Sequence, residues 1–221
     1  MVTKRQIKGA GSEQNYPSTQ VVDPKKEPQM ELVRKALSFI IEIEKLKDIH
    51  RKTRPVGLER YENSAEHSWH VCMAALALKD FADEEIDIQK VIMMLLIHDL
   101  GEIDAGDTII YESETIENKE KEAVGVARIL NMLPKTQAEE YLALWFEFEE
   151  GTSPESVFAR AVDRIPPLLH NLHGKGHSWR ENNVCKEKVL SLNRRIEKGS
   201  KKVWKEIEDQ LHEAVASGVL K

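Results

Sequence analysis

The residues able to do chemistry in this chain are histidines and acids. His98 and Asp99 stand side by side at the end of the apolar run Val91–Ile97. Burying an imidazole and a carboxylate there is costly unless they pair with each other or bind a metal. Glu102 follows four residues after His98, so a further helical turn would put His98, Asp99 and Glu102 on one side. Taken alone, a His-Asp pair is more often a core histidine satisfied by its neighbour. Other positions change that balance. His67 and His70 lie three apart on a preceding apolar stretch, and Asp163 closes the apolar stretch that begins at Phe158. A histidine, a His-Asp pair and an aspartate from three buried helices make a metal site with positions left open. Imidazole and carboxylate together suit a hydrolytic divalent ion, which lowers the pKa of a bound water. Spacing alone leaves His67 and His70 as alternatives for the first ligand.

The elements that must carry these residues read as helices. From Met30 the apolar positions Val33, Leu37, Ile40 and Ile41 recur with helical spacing. Residues 48–62, with Pro55 and Gly57, read as a loop. Asn63 or Ser64 caps the next helix, with Glu66 in the capping-box position. That helix runs to about 82 and is apolar nearly all round at Val71–Leu78, as a buried helix is. Asp87 opens another through Ile97, ending near Leu100–Gly101. Further helices are expected at 115–132 and 135–150, split by Pro134. Ser153 caps a helix to about 173, which Pro166 and Pro167 must kink or restart. A glycine-containing loop at 174–180 precedes one long charged helix over 181–217. No stretch alternates with period two, so the expectation is an all-α, single-domain bundle of six or seven main helices.

Composition narrows the function classes. The chain has 221 residues, 32 Lys+Arg against 38 Asp+Glu, and a net charge of −6, which argues against a protein that coats polymeric nucleic acid. The longest apolar run is eight residues, Val71–Leu78, against the roughly 20 that a spanning helix needs, so no membrane partner is expected. The basic N-terminus has no apolar stretch behind it, and Cys72 and Cys185 build no disulfide framework; both features fit a cytoplasmic protein. Residues 1–28 are polar and aperiodic and read as a flexible or loosely docked tail ahead of a domain over 29–221.

The order His67, His98-Asp99, Asp163 resembles the signature of the HD-domain superfamily of metal-dependent phosphohydrolases. The wider strings Glu62-Asn63-Ser64-Ala65-Glu66-His67-Ser68 and His98-Asp99-Leu100-Gly101-Glu102-Ile103-Asp104-Ala105-Gly106-Asp107 are similar to its 5′-deoxynucleotidase-like branch. So are Leu144–Glu149 and Phe158–Arg164. The resemblance covers roughly residues 30–195. It implies an HD-domain helical bundle that hydrolyses nucleoside 5′-monophosphates. His67, His98, Asp99 and Asp163 would hold one divalent ion per chain: manganese, cobalt, zinc, iron or magnesium. Glu102 and Asp107 match the catalytic acidic pair. Arg51 matches a phosphate-contacting arginine, with Lys52 beside it as a second substrate-binding residue. Lys52 stands where deoxyribose-selective relatives carry tryptophan, so weak discrimination between ribo- and deoxyribonucleotides is expected. A homodimer is also implied, with 135–150 or the C-terminal helix as its interface.

Two other functions compete. A two-metal phosphodiesterase or di-iron oxygenase of the same superfamily needs extra histidines, and none lies between Asp99 and Asp163. A non-catalytic scaffold would have lost a ligand or an acid, and none is missing. The other candidates have plainer readings. His170, seven residues after Asp163, is expected at a pocket rim or in packing. The basic run from Arg194 to Lys205 reads as a solvated face.

Overall fold

A computed structural model describes residues 29–108 and 116–221, and every described regular element is helical. The expected tail at 1–28 lies outside the described residues. The first helices are α1 (Gln29–Ile43), α2 (Ser64–Leu78), α3 (Ile88–Ile97) and α4 (Glu102–Ala105). Next come α5 (Ile116–Leu130), α6 (Lys135–Glu150), α7 (Pro154–Asp163) and α8 (Ile165–His173). The chain closes with α9 (His177–Glu181), α10 (Lys186–Asn193), α11 (Ile196–Gly199) and α12 (Lys201–Ala216).

Nine of these helices have eight or more residues, against six or seven expected, because two expected helices are broken. The stretch 153–173 restarts at Ile165. Pro166 and Pro167 lack the N–H that a helix interior needs, so they fall in the first turn of α8, where none is required. The stretch 181–217 divides into α10, α11 and α12. Ser200 stops the run with an extended backbone and then caps α12, its hydroxyl accepting from the Val203 amide. The expected loop at 174–180 holds α9 in its second half.

Two apolar cores form. The larger joins α2, α3, α7, α8 and α12 through residues such as Val71, Met94, Phe158, Leu168 and Leu211. The smaller joins the end of α3 to α5 and α6 through Ile97, Leu100, Ile129 and Trp145. Leu95 belongs to the first core, and Ile97 and Leu100 to the second, so His98 and Asp99 sit at the seam. Truncating a residue as buried as Phe158 would cost about 3–5 kcal/mol.

α1 departs from its sequence pattern. None of its residues is buried, and Met30, Val33, Leu37, Ile40 and Ile41 are all exposed. Its inner side reaches the smaller core only through Phe39 and Ile43. Arg128 of α5 ties it down by donating to Glu42 and to both oxygens of Asp104.

Candidate metal centre

The loop before α2 is held as a clasp. The amide of Arg51 donates to the Glu62 carbonyl at 2.8 Å, Glu62 to Thr53 at 2.9 Å and Ser64 to Ile49 at 3.0 Å. Asn63 then caps α2: its side chain accepts from the Glu66 amide, and the Glu66 carboxylate accepts from the Asn63 amide. This reciprocal box fixes the first turn and with it His67, which is fully buried. His67 Nε2 lies 2.9 Å from Asp163 Oδ1 at the end of α7.

His98 caps the C-terminus of α3. Its Nδ1–H donates to the Leu95 carbonyl at 2.8 Å, which turns Nε2 toward the neighbouring acids. That Nε2 is 3.1 Å from Asp99 Oδ1 and 3.4 Å from Asp163 Oδ1, yet it is aligned with neither for a hydrogen bond. Trp145 Nε1–H donates to the His98 carbonyl at 3.0 Å, and the Phe148 ring packs against the imidazole. The ring is therefore fixed from both sides. Its buried Nε2 faces carboxylate oxygens that raise the imidazole's pKa against the opposing effect of burial, an arrangement that favours a proton or a metal cation between them. His67 Nε2 and Asp99 Oδ2 are 3.9 Å apart. Ligand bonds of about 2.1 Å produce ligand separations of roughly 3–3.4 Å around one ion, close to those observed.

Charge points the same way. Five carboxylates, Glu62, Asp99, Glu102, Asp107 and Asp163, converge on one guanidinium. Arg51 lies 2.9 Å from Asp99, 3.5 Å from Glu102, 3.7 Å from Asp107 and 3.8 Å from Glu62. These acids raise its pKa against the opposing effect of burial. Burial would also raise Asp99, but His98 and Arg51 hold its carboxyl down at about 2. The two histidines hold Asp163 well below the usual carboxylate range. Glu102 goes the other way: burial and the neighbouring Asp99 push it well up, although the Ser64 hydroxyl donates to it. Burial raises Asp107 as well. The residues present thus fit a divalent ion, in donor type, donor direction and charge.

Two glycines make the acidic pair possible. A Cβ on Gly101 would lie 2.6 Å from the Glu122 carbonyl oxygen, so only glycine lets the turn carrying Glu102 approach α5 this closely. Gly106 has φ +80°, the turn that brings Asp107 back toward Arg51.

The sequence-predicted residues His67, His98, Asp99, Glu102, Asp107, Asp163 and Arg51 all meet here, and Lys52 lies exposed at the rim. His70 stays out of the cluster. It faces His170, ring centroids 5.5 Å apart, and together with Glu62 these two histidines form a second group of metal-type donors. The sequence marks Ser64 only as an alternative helix cap and Glu62 not as a site residue at all. Glu62 sits 3.7 Å from His67 Nδ1, behind the imidazole, a position that no spacing rule marks.

The cleft has two lobes that share Arg51, Asp107, Thr108, Asp163 and Arg164. One, of about 180 Å³, is lined by His98, Asp99 and Glu102. The other, of about 50 Å³, is lined by Lys52, Arg164, Ser178 and Asn193. Among the described residues, no helix is long and apolar enough to cross a membrane.

The sequence profile described as HD domain matches residues 43–204. A crystal structure of a predicted metal-dependent phosphohydrolase from Magnetospirillum magnetotacticum is 43% identical, with a TM-score of 0.81, covering 86% of this chain and 98% of that one. A protein from Pyrococcus horikoshii, 22% identical with a TM-score of 0.61 over 79% of this chain and 99% of that one, shares the fold. A 5′-deoxynucleotidase from Dictyostelium discoideum is 31% identical over 51% of this chain and 63% of its own length. Its human counterpart is 26% identical over 51% of this chain and 54% of its own length. The chain thus spans less than two thirds of either deoxynucleotidase.

Proposed function

The chain belongs to the HD-domain family, and from that premise we propose that it is a metal-dependent phosphomonoesterase acting on nucleoside 5′-monophosphates. One observation carries the reading: Nε2 of His98, its ring fixed by Leu95, faces Asp99 and Asp163 in a group that also holds His67, with Arg51 alongside. His67, His98, Asp99 and Asp163 are the residues that would hold the ion. When bound, a divalent ion there supplies Lewis-acid charge to a phosphoryl oxygen and acidifies water.

The rest is work for the chain's own side chains. Arg51 neutralises charge on the phosphoryl oxygens and orients them by donated hydrogen bonds. Attack by water at phosphorus breaks the bond to the 5′ oxygen, and the departing oxygen needs a proton. Glu102, its carboxyl pushed up by burial, carries that proton and donates it. Asp107, also raised, takes up the proton released from the attacking water. Lys52 at the rim meets the alcohol part of the substrate. The Asn63–Glu66 cap and the Leu95 carbonyl keep the two histidines in place throughout.

The test is phosphate release from a panel of nucleoside monophosphates by chelator-treated protein reloaded with single metals. Release that needs a metal, and that is confined to monoesters, supports the reading; no release with any metal overturns it. A second reading has one observation in its favour. Ligand atoms of Glu62, His70 and His170 lie within 4.8 Å of one another, a group able to take another ion, as a two-metal phosphodiesterase would. Two metals per chain together with diester cleavage would favour it.

We also read the protein as a homodimer over a domain spanning 29–221. The exposed apolar residues of α1 support self-association more than 135–150 or the C-terminal helix does. A monomer by light scattering at micromolar concentration would overturn that.

A further inference from the structure

Two guanidinium groups on the wall of the large lobe have no task in the fold. Arg160, Arg164 and Arg195 all line this lobe of about 180 Å³, together with Arg51 and Asp163. Arg160 is engaged: its Nη1 donates to the Phe148 and Glu149 carbonyls at 2.8 and 2.6 Å, and its guanidinium lies over the Phe148 ring. Among the described residues, Arg195 makes no hydrogen bond and no ion pair, and Arg164 makes only a loose contact, its Nε 3.8 Å from Asp163 Oδ2. Of their nitrogens only that Nε is buried and unpaired; the terminal nitrogens of Arg164 and all those of Arg195 are open to solvent. Both residues are half-buried, and a guanidinium so placed loses hydration with no hydrogen bond to offset it.

The fold brings the two together from separate segments. Arg160 and Arg164 stand four residues apart at the end of α7 and so share one side of it. Arg195 immediately precedes α11, which presses on α7: a Cβ on Gly199 would lie 2.6 Å from the Ala161 Cβ. The dipole of α7 accounts for one cation at its C-terminus, not for a second one delivered from elsewhere. Burial, then Arg164 and Arg160, lower the Arg195 pKa, and Asp163 and Glu149 do not cancel that effect. Its neighbour Arg194 turns outward and pairs with Glu197 at 2.8 Å, as the solvated face expected of this basic run does. Arg195 departs from that face.

The chemistry of the pair is narrow. Guanidinium groups only donate, so their occupant must accept, and two adjacent cations call for more than one negative charge. A carboxylate has two oxygens, which a single fork takes up; a phosphate has three and a second charge, which two forks can share. The reacting phosphate already has its receptors in the metal centre and Arg51.

We propose that Arg164 and Arg195 bind a second phosphate group carried by the substrate, beside the phosphate that reacts. This deepens the phosphomonoesterase reading and rests on it. The favoured class is a nucleoside bisphosphate, with one phosphate on the 5′ oxygen and the other elsewhere on the sugar. Water adds to the 5′ phosphorus, the bond to the 5′ oxygen breaks and that oxygen takes up a proton. Inorganic phosphate leaves, and a nucleoside monophosphate remains on the arginines.

The experiment measures kcat/KM with metal-loaded protein for a nucleoside 5′-monophosphate and for its 2′,5′- and 3′,5′-bisphosphates. At least one bisphosphate should be preferred by about 10-fold or more, the scale of one hydrogen bond to a charged group. In Arg195→Gln and in Arg164→Gln that ratio should fall toward one, with the monophosphate turnover of Arg195→Gln close to that of wild type. Arg195→Lys keeps the charge but loses the fork, so it should lower the ratio without removing it, and it serves if the glutamine variants do not fold. Calorimetric binding of the same three nucleotides supplies a readout without turnover. Tighter binding of a bisphosphate that Arg195→Gln removes, with no phosphate release from any nucleotide, would sink the enzymatic reading and keep the anion site. Equal use and equal binding of all three would overturn the proposal and leave both arginines to solvent. A loss in Arg195→Gln that is the same for monophosphate and bisphosphate would also overturn it, assigning the arginine to the reacting phosphate. So would a bisphosphate preference unchanged in the variants.

Discussion

Helices α1 and α2 have the same length, 15 residues, and both carry apolar residues at helical spacing. Their fates differ. α2 buries Ser64, His67, Ser68, Val71, Cys72 and Ala75 against three other helices, whereas α1 buries nothing. The difference lies in what their neighbours offer. α2 meets α3, α7 and α8, which supply both an apolar wall and the acids that pair with His67. α1 meets the edge of the smaller core and is held largely by charge. A periodic stripe therefore announces a helix without announcing its burial. Buried polar residues such as His67 and Ser64 are the better sign that a helix has been built into a site, because each needs a partner already in place.

That contrast can be broken most forcefully at α2. His67→Ala and Asp163→Ala should each lose the bound metal. Turnover should fall by well over 10²-fold, beyond the roughly 10–100-fold effect of changing a residue that merely supports a ligand. Metal analysis after dialysis checks the first part and phosphate release the second. Normal metal content with normal turnover would remove the residue from the ligand set. The metal-loaded wild type should also melt higher than either variant, since an ion that binds only the folded state stabilises it by mass action.

Glu102→Gln comes next. It should keep the metal and lose roughly 10²-fold in kcat, the usual scale for a proton-transferring group. Near-normal turnover would leave Glu102 as no more than a partner for Ser64 and Arg51. Gly101→Ala probes the same turn through packing. The new methyl meets backbone atoms of Glu122, which cannot swing aside as a side chain would, so a loss of about 1–3 kcal/mol in denaturant unfolding is expected.

The smallest effects belong to α1. Leu37→Ser and Ile41→Ser should change monomer stability by no more than about 0.5 kcal/mol, as expected of positions 56% and 71% exposed. A loss above about 2 kcal/mol in the dissociated monomer would mean that the chain itself covers this face, and the contrast with α2 would fail. Arg128→Ala should cost at most about 0.5–1 kcal/mol at neutral pH, because its ion pairs are solvent-screened. Its pH dependence has a definite sign. Lys45 and Arg128 lower Glu42, and Arg128 lowers Asp104. Depressed carboxylates stabilise the fold above their ordinary pKa and lose that contribution as pH falls through the folded value. The gap between wild type and Arg128→Ala should therefore narrow on acidification below about pH 4.

Much of the centre was legible because its residues break a local rule. His98 and Asp99 end an apolar run, and Asp163 ends another; charge in such places needs a reason. The Asn63 cap was legible from Glu66, since the capping box is a local pattern. What spacing left open, His67 against His70, is decided by rotation about α2, which sends His70 toward His170 and Glu62 instead. The small lobe was not legible at all. Arg164, Ser178 and Asn193 are ordinary residues at scattered positions. They meet only because Pro166 and Pro167 restart the chain as α8 and because the expected single C-terminal helix is broken. No periodicity records a break that depends on what the next segment packs against. The exposure of α1 was hidden for the same reason.

The clasp ahead of α2 links local folding to reactivity. The Arg51 amide is bonded to the Glu62 carbonyl, and the Ser64 amide, at the first turn of α2, to the Ile49 carbonyl. Fraying of the α2 N-terminus therefore releases the guanidinium that balances the acids and displaces the first imidazole in one motion. The Arg51 guanidinium and the His67 imidazole belong to one opening unit, and the backbone amides of Arg51, Glu62 and Ser64 should share its protection against hydrogen exchange. Local melting would thus silence the centre completely, with no half-assembled state in which a lone cation or a lone histidine faces solvent.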